Sequence, residues 1–289
     1  MYPKILPFLL LVVASWFGTA SAQGSVGLDP SVARFSATPG TSVTQTVGIF
    51  NPTDQKVKLR VLAYLVDVDM NDVGQLSFPK AGTLPDSASR WIQVSPSEVT
   101  LEGRNRAEIR YTVTVPAGTK PGTYSSVLMF EAENPNPGSK TELARVSVRV
   151  GHGIFVNVDP ITVKGEISGI FYEAPQTENG FLSLAVQYHN GGSGAAMVEG
   201  YVELRDDQGR SVAKLPLERT LSLPGRSTML RLRWAGPAKK GQYTALVVLN
   251  DGDRDHDVVG EQLVDLPLDL AAAPPAPKAQ GADGAEGAK

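Results

Sequence analysis

The chain has 289 residues, with 27 basic side chains against 30 acidic ones and no cysteine. A formal net charge of −3, spread along the chain, argues against nucleic acid or an anionic membrane surface as a partner. Without cysteine there can be no disulfide and no acylated lipoprotein, so apolar packing alone must hold the fold.

Residues 1–22 read as a secretory signal peptide. Lys4 supplies the positive charge, Ile5 to Trp16 is almost wholly apolar, and Ala20-Ser21-Ala22 is a small-x-small cleavage pattern. The mature chain is expected to begin at Gln23. No later stretch reaches the ~20 apolar residues of a membrane span, so no membrane insertion is expected after cleavage.

Period-2 alternation dominates the chain beyond the signal peptide. Val57, Leu59 and Val61 alternate with Lys58 and Arg60, and Ile109 to Val115 alternates in the same way. Val146, Val148 and Val150 alternate with Ser147 and Arg149; Leu182 to Tyr188 and Leu230 to Trp234 repeat the pattern. Each predicts a strand with one buried face. Turn signals separate them at Pro39-Gly40, Asn51-Pro52, Pro121-Gly122, Asn190-Gly191-Gly192, Asp207-Gln208-Gly209 and Pro224-Gly225.

One order of features occurs twice. A strand ends at Asn51, Leu101-Glu102-Gly103-Arg104 makes a turn, and Gly122-Thr123-Tyr124 opens an apolar strand. Asn190, Leu223-Pro224-Gly225-Arg226 and Gly241-Gln242-Tyr243 repeat it. Glycine permits the tight corner, and the tyrosine packs inward while its hydroxyl reaches backbone. The expected fold is therefore all-β, with two tandem immunoglobulin-like sandwiches over 23–159 and 160–270. The boundary falls near Asp159-Pro160. Between Asp67 and Arg90 the first sandwich carries a polar excursion that the second lacks, a place where binding often resides. Residues 271–289 hold only Ala, Pro, Gly, Gln and charge, which predicts a disordered tail.

Chemistry has few places to reside. His152, His189 and His256 show no metal-ligand spacing. Gly191-Gly192-Ser193-Gly194-Ala195 is the nearest approach to a nucleophile elbow, but it sits at an expected hairpin turn and opens no helix. Asp251, Asp253, Asp255 and Asp257 form a weak calcium candidate, since Gln262 stands where the last ligand of such a loop would fall. No cofactor and no catalytic residue are expected, and the chain reads as a non-enzymatic binding protein.

The first domain carries a resemblance. Leu28 to Asn51, with Arg34-Phe35 and a Pro-Gly turn, is similar to the opening of PapD-like periplasmic pilus-assembly chaperones. Trp91 to Pro96 with Val99-Thr100-Leu101, and the alternating strand from Leu143 to Val150, resemble later parts of that family. Val115-Pro116 followed by Pro121-Gly122-Thr123-Tyr124 equally resembles the first domain of WxL-interacting cell-surface proteins. The chaperone resemblance implies capture of β-rich envelope or pilus subunits through an exposed edge strand bearing Leu143, Val146, Val148 and Val150. It also implies a basic anchor for the partner's terminal carboxylate, for which Arg34 and Arg149 are the candidates; near Phe155, where the family has a lysine, there is no basic residue. The location implied is the periplasm or cell envelope. The alternative is a structural or adhesion protein that binds a surface protein or glycan.

Overall fold

The computed structural model describes residues 26–53, 58–133, 148–253 and 255–271. The signal peptide, tail residues 272–289, and the edge-strand candidates Leu143 and Val146 lie outside these described residues.

The first sandwich contains β1 (Gly27–Asp29), β2 (Val32–Ser36), β3 (Ser42–Phe50), β4 (Leu59–Val66), β5 (Asp69–Met70), β6 (Leu76–Ser77), β7 (Ile92–Ser95), β8 (Glu98–Leu101), β9 (Arg106–Thr114), β10 (Gly122–Glu133) and β11 (Val148–Val158). One sheet has the order β1-β3-β9-β7 and the facing sheet β2-β11-β10-β4-β8. Their inward residues, among them Val47, Ile49, Leu59, Ile109, Leu128 and Ile154, are fully buried and form one core. The alternation in the sequence is thus the alternation between core and solvent.

The second sandwich contains β12 (Gly165–Glu173), β13 (Leu182–Asn190), β14 (Ala196–Arg205), β15 (Ser211–Ser222), β16 (Ser227–Trp234), β17 (Gly241–Asn250) and β18 (Val258–Leu266). Its sheets run β12-β13-β16 and β15-β14-β17-β18 around a separate core that includes Leu182, Leu184, Val186, Tyr188, Val202 and Val247. The fold is all-β, two immunoglobulin-like sandwiches, as the alternation predicts.

The repeated order is structural. Tyr124 donates its hydroxyl to the Lys120 carbonyl at 3.1 Å, and Tyr243 donates to Lys239 at 2.7 Å. Gly122 and Gly241 enter these corners at φ 154° and 156°, a backbone region that favours glycine. The turns that face Asn51 and Asn190 also match, but one residue out of the sequence alignment. Arg104 N–H donates to the Asn51 carbonyl as Gly225 N–H donates to that of Asn190. Arg104 (φ 61°) is therefore the counterpart of Gly225 (φ 65°), both left-handed. A Cβ at Gly225 would meet nothing within 4 Å, so a substitution there tests backbone strain alone. Gly225→Ala is expected to cost about 1 kcal/mol, read as a lower urea midpoint with an unchanged slope.

Candidate functional site

The chain changes sheets between its first two strands. β1 pairs antiparallel with β3 in one sheet, and β2 then pairs parallel with β11 in the other. That parallel pairing covers only the second half of β11, from Gly153 opposite Val32 to Asn157 opposite Ser36. All eleven residues of β11 pair with β10 on its other side. From Val148 to His152 the side away from β10 has no strand neighbour among the described residues.

The polarity of this edge is set by one bond. Gly153 N–H donates to the Ser31 carbonyl at 2.9 Å, so odd-numbered residues of β11 point their backbone groups away from β10. With uninterrupted pairing back to Val148, Arg149 and Gly151 present at the open edge N–H and C=O groups that have no strand partner among the described residues. Val148 and Val150 face inward and are half-buried, and Val150 packs on the first core. Two of the expected edge residues therefore lie where a fresh strand could be added, over about 17 Å at ~3.4 Å per residue.

Other edges differ. β1, β7 and β8 have 3, 4 and 4 residues, β2 has 5, as many as the open stretch of β11, and β18 is a nine-residue edge of the second sandwich in unbroken register with β17. β12 breaks register between Ile167 and Gly169, and β15 carries Pro216, which cannot donate to a ladder. β16 meets a hairpin from the first sandwich, with Gly74 tight against the Met229 backbone nitrogen.

That hairpin, β5–β6, belongs to the polar excursion. Rather than standing free as a loop, it reaches the second sandwich. Arg226 donates to Asp69 at 2.8 Å, and Gln187 donates to the Asp72 carbonyl at 3.2 Å. Met70 packs with Phe155, Ala195 and Leu223 in a small apolar cluster between the sandwiches. Beside it, Thr123 Oγ1 donates to Asn157 at 2.7 Å and accepts from Ala195 N–H at 2.9 Å. The absent lysine at Phe155 is explained by this packing, since Phe155 is 2% exposed and wedged against the second sandwich.

The rest of the excursion wraps around Asp67. Its carboxylate is fully buried and accepts from the backbone N–H groups of Gly82, Thr83 and Leu84 and from the hydroxyls of Ser87 and Ser89. Burial pushes this carboxyl up, but the Ser87, Ser89, Leu84 and Gly82 bonds outweigh it and hold it well below the usual carboxylate range.

The two anchor candidates differ. Arg149 is occupied on the outer face of the sheet by Glu131, at 3.1 Å, and the Tyr64 hydroxyl also donates to that carboxylate. Arg34 lies on β2 opposite Phe155. Partial burial, and then the positive charge of Arg219 on β15, lower its pKa from the usual arginine value. Arg34 and Arg219, from different sandwiches, are thus near enough for their charges to repel. Arg219 escapes sequence reading because nothing local marks it; only the domain arrangement brings it to Arg34.

The remaining candidates resolve into turns. Asn190 Oδ1 accepts from Gly192 N–H, and Ser193 Oγ accepts from Thr162 N–H at 3.1 Å, while the Ser193 carbonyl takes Thr123 N–H. Ser193 is a joint residue, bonded to Thr162 and Thr123. The aspartates of the 251–257 stretch diverge. Asp251 is buried and accepts from Tyr188 at 2.7 Å, Asp253 meets His256, and Asp257 meets Asn250. Among the described residues no group of three or more His, Cys, Asp or Glu could hold a metal ion.

No family model matches the sequence, and no curated protein matches it. Solved structures similar to the chain include the class 5 fimbriae chaperone CfaA, at 14% identity over 84% of this chain and 100% of that one, with TM-score 0.43. The E. coli chaperone DraB gives 16% identity over 83% and 98%, with TM-score 0.42. A Salmonella enterica complex of SafA pilin with the SafB chaperone gives 15% over 84% and 99%, also at 0.42. No helix among the described residues is long and apolar enough to cross a membrane.

Proposed function

We propose that this protein is a periplasmic carrier that captures β-rich envelope or pilus subunits by adding one of their strands, or their missing strand position, to the edge of β11. The observation that carries this reading is the open Val148–His152 edge, beside a β2 that stops short of it. An unpaired edge with alternating apolar residues is a template for β-augmentation. The signal peptide expected at residues 1–22 would bring the chain to the compartment where such subunits pass. Arg34 is the proposed basic anchor for a partner carboxylate, with Arg219 close by but itself 3.7 Å from Glu199; Arg149, paired with Glu131 at 3.1 Å, is the poorer one.

The reading separates into backbone and side-chain parts. Arg149→Pro removes one free edge N–H and leaves the β10 ladder intact, since residue 149 points away from β10. Arg149→Ala removes the side chain alone. Capture of β-rich subunits from a periplasmic extract is expected to fall at least tenfold for Arg149→Pro and for Val148→Asp, and to persist for Arg149→Ala. Retained capture by both Arg149→Pro and Val148→Asp would show that this edge is not the binding site.

A further inference from the structure

The open edge ends at a buried histidine. His152 is 0% exposed and lies inward on β11, opposite Leu128 of β10. Its Nδ1 lies 2.8 Å from the Pro30 carbonyl, in the crossover between β1 and β2. A carbonyl only accepts, so Nδ1 carries the proton and donates. Its Nε2 lies 3.0 Å from the Tyr111 hydroxyl on β9. With Nδ1 protonated, neutral imidazole leaves Nε2 as an acceptor, and the phenol donates. One neutral ring thus ties the crossover to both sheets of the sandwich.

We propose that His152 latches the β1–β2 crossover over β11, and that acid opens the latch and lengthens the edge available to a partner strand. The lengthening has a purpose only if the edge lends strands, and in that respect it rests on the proposed function.

Among the described residues the ring has no counter-charge. From β9 it meets Tyr111, a phenol that burial pushes up to about 12 and so keeps protonated. On the crossover side it meets a carbonyl, while Asp29 of β1 points to Arg106 at 3.7 Å. From β10 it meets Leu128, and the Glu131–Arg149 pair lies on the outer face of the sheet, away from the inward ring. A second proton on the ring would place Nε2–H against the phenol, which must then turn and lose its acceptor. Burial accordingly lowers the His152 pKa below its usual value, and the bond to Pro30 recovers only part of that.

The cheapest way to hydrate the ring is to lift the crossover. Ser31 and Pro30 are exposed, and Val32 is 51% exposed, whereas Tyr111 and Leu128 are held in the core. Lifting β2 frees Gly153 to Asn157, the stretch it now covers, and makes the open edge continuous from Val148 to Asn157.

Linkage fixes the direction of the pH effect. The closed-state pKa is depressed, so the latch is at full strength above ~6.5, the open-state value, and weakens as pH falls toward the closed-state value. Between pH 7.5 and 5.0 the open fraction can rise by up to about thirtyfold.

Amide hydrogen exchange on the free protein reads this without any partner. After correction for intrinsic rates, the amides turned toward the β2–β11 seam, those of Ala33, Phe35, Ala37, Gly153, Phe155 and Asn157, are expected to exchange about tenfold or more faster at pH 5.0 than at 7.5. Those of β13 should not change. His152→Gln offers a donor and an acceptor but does not titrate, so it should keep the protection at pH 7.5 and abolish the pH dependence. If that variant is poorly folded, NMR titration of the His152 ring in the native protein substitutes for it. Equal protection at both pH values, pH dependence persisting in His152→Gln, or a ring midpoint at or above 6.5 would each overturn the latch. Loss of capture in the edge variants is a separate measurement, so the latch and the edge can fail independently.

Discussion

Replacing Asp67 with alanine is expected to destabilise the first sandwich by about 3 kcal/mol or more, the largest stability loss foreseen for an exchange at one polar residue. The carboxylate organises residues 82–89 through three backbone N–H groups and two serine hydroxyls, all turned inward. Alanine removes the acceptor but leaves the donors buried, and each orphaned donor costs about 1–3 kcal/mol before relaxation. Asp67→Asn should be milder, because an amide oxygen still accepts, although its NH₂ faces donors. Thermal unfolding of the two variants should rank them alanine below asparagine below native. Equal midpoints would mean that the loop is held by other contacts. The pH behaviour is opposite in range to that of His152. The Asp67 carboxyl is held below its ordinary value, so its contribution is complete above ~3.9 and fades only as pH falls further. Between pH 5.0 and 7.5 this carboxylate stays charged, and a change seen there is not its doing.

The second large effect is expected at Phe155. Phe155→Ala should remove about 3 kcal/mol of packing, most of it from the contact between the sandwiches. The ring packs with Met70, Ala195 and Leu223, and is the one aromatic member of that cluster among the described residues. Calorimetry should resolve two separated transitions where the native protein shows more closely coupled ones, and small-angle scattering should report a larger radius of gyration. The Asp69–Arg226 pair, about a third exposed on each side, cannot make up the loss, since ion pairs of that kind contribute about 1 kcal/mol or less. An unchanged scattering profile would show that the β5–β6 hairpin and Thr123 suffice to fix the two bodies.

Much of this architecture is legible in the sequence, because a strand with one wet face writes itself as alternation. The Gly-x-Tyr corners are legible for a related reason. Gly122 and Gly241 need a backbone region few residues enter, and Tyr124 and Tyr243 bond carbonyls only four residues back. The turn alignment is readable only to within one residue, because Arg104 occupies the left-handed position that glycine fills in the second copy. What stays hidden is everything that depends on distant segments. Nothing near Asp67 announces that five donors from residues 82–89 will converge on it. The hairpin reads as an ordinary polar insertion until the second sandwich is in place beneath it. His152 looks like a spare inward residue of an alternating strand, and its partners lie 41 and 122 positions away. The edge itself is half legible. Val148 and Val150 mark it by alternation, but that β2 would stop at Gly153 is a matter of where the crossover lands.

The pairing of β11 has a mechanical consequence. Its hydrogen bonds to β10 run across the strand along its whole length, from Val148 to Val158. A pull applied along β11 by a strand held at its open edge would load these bonds together in shear, rather than peel them one after another. Toward the far end of the same strand Phe155 packs against Ala195 and Leu223, so part of such a force passes into the second sandwich. The strand therefore resists a pull along its own axis and yields more easily to a sideways one.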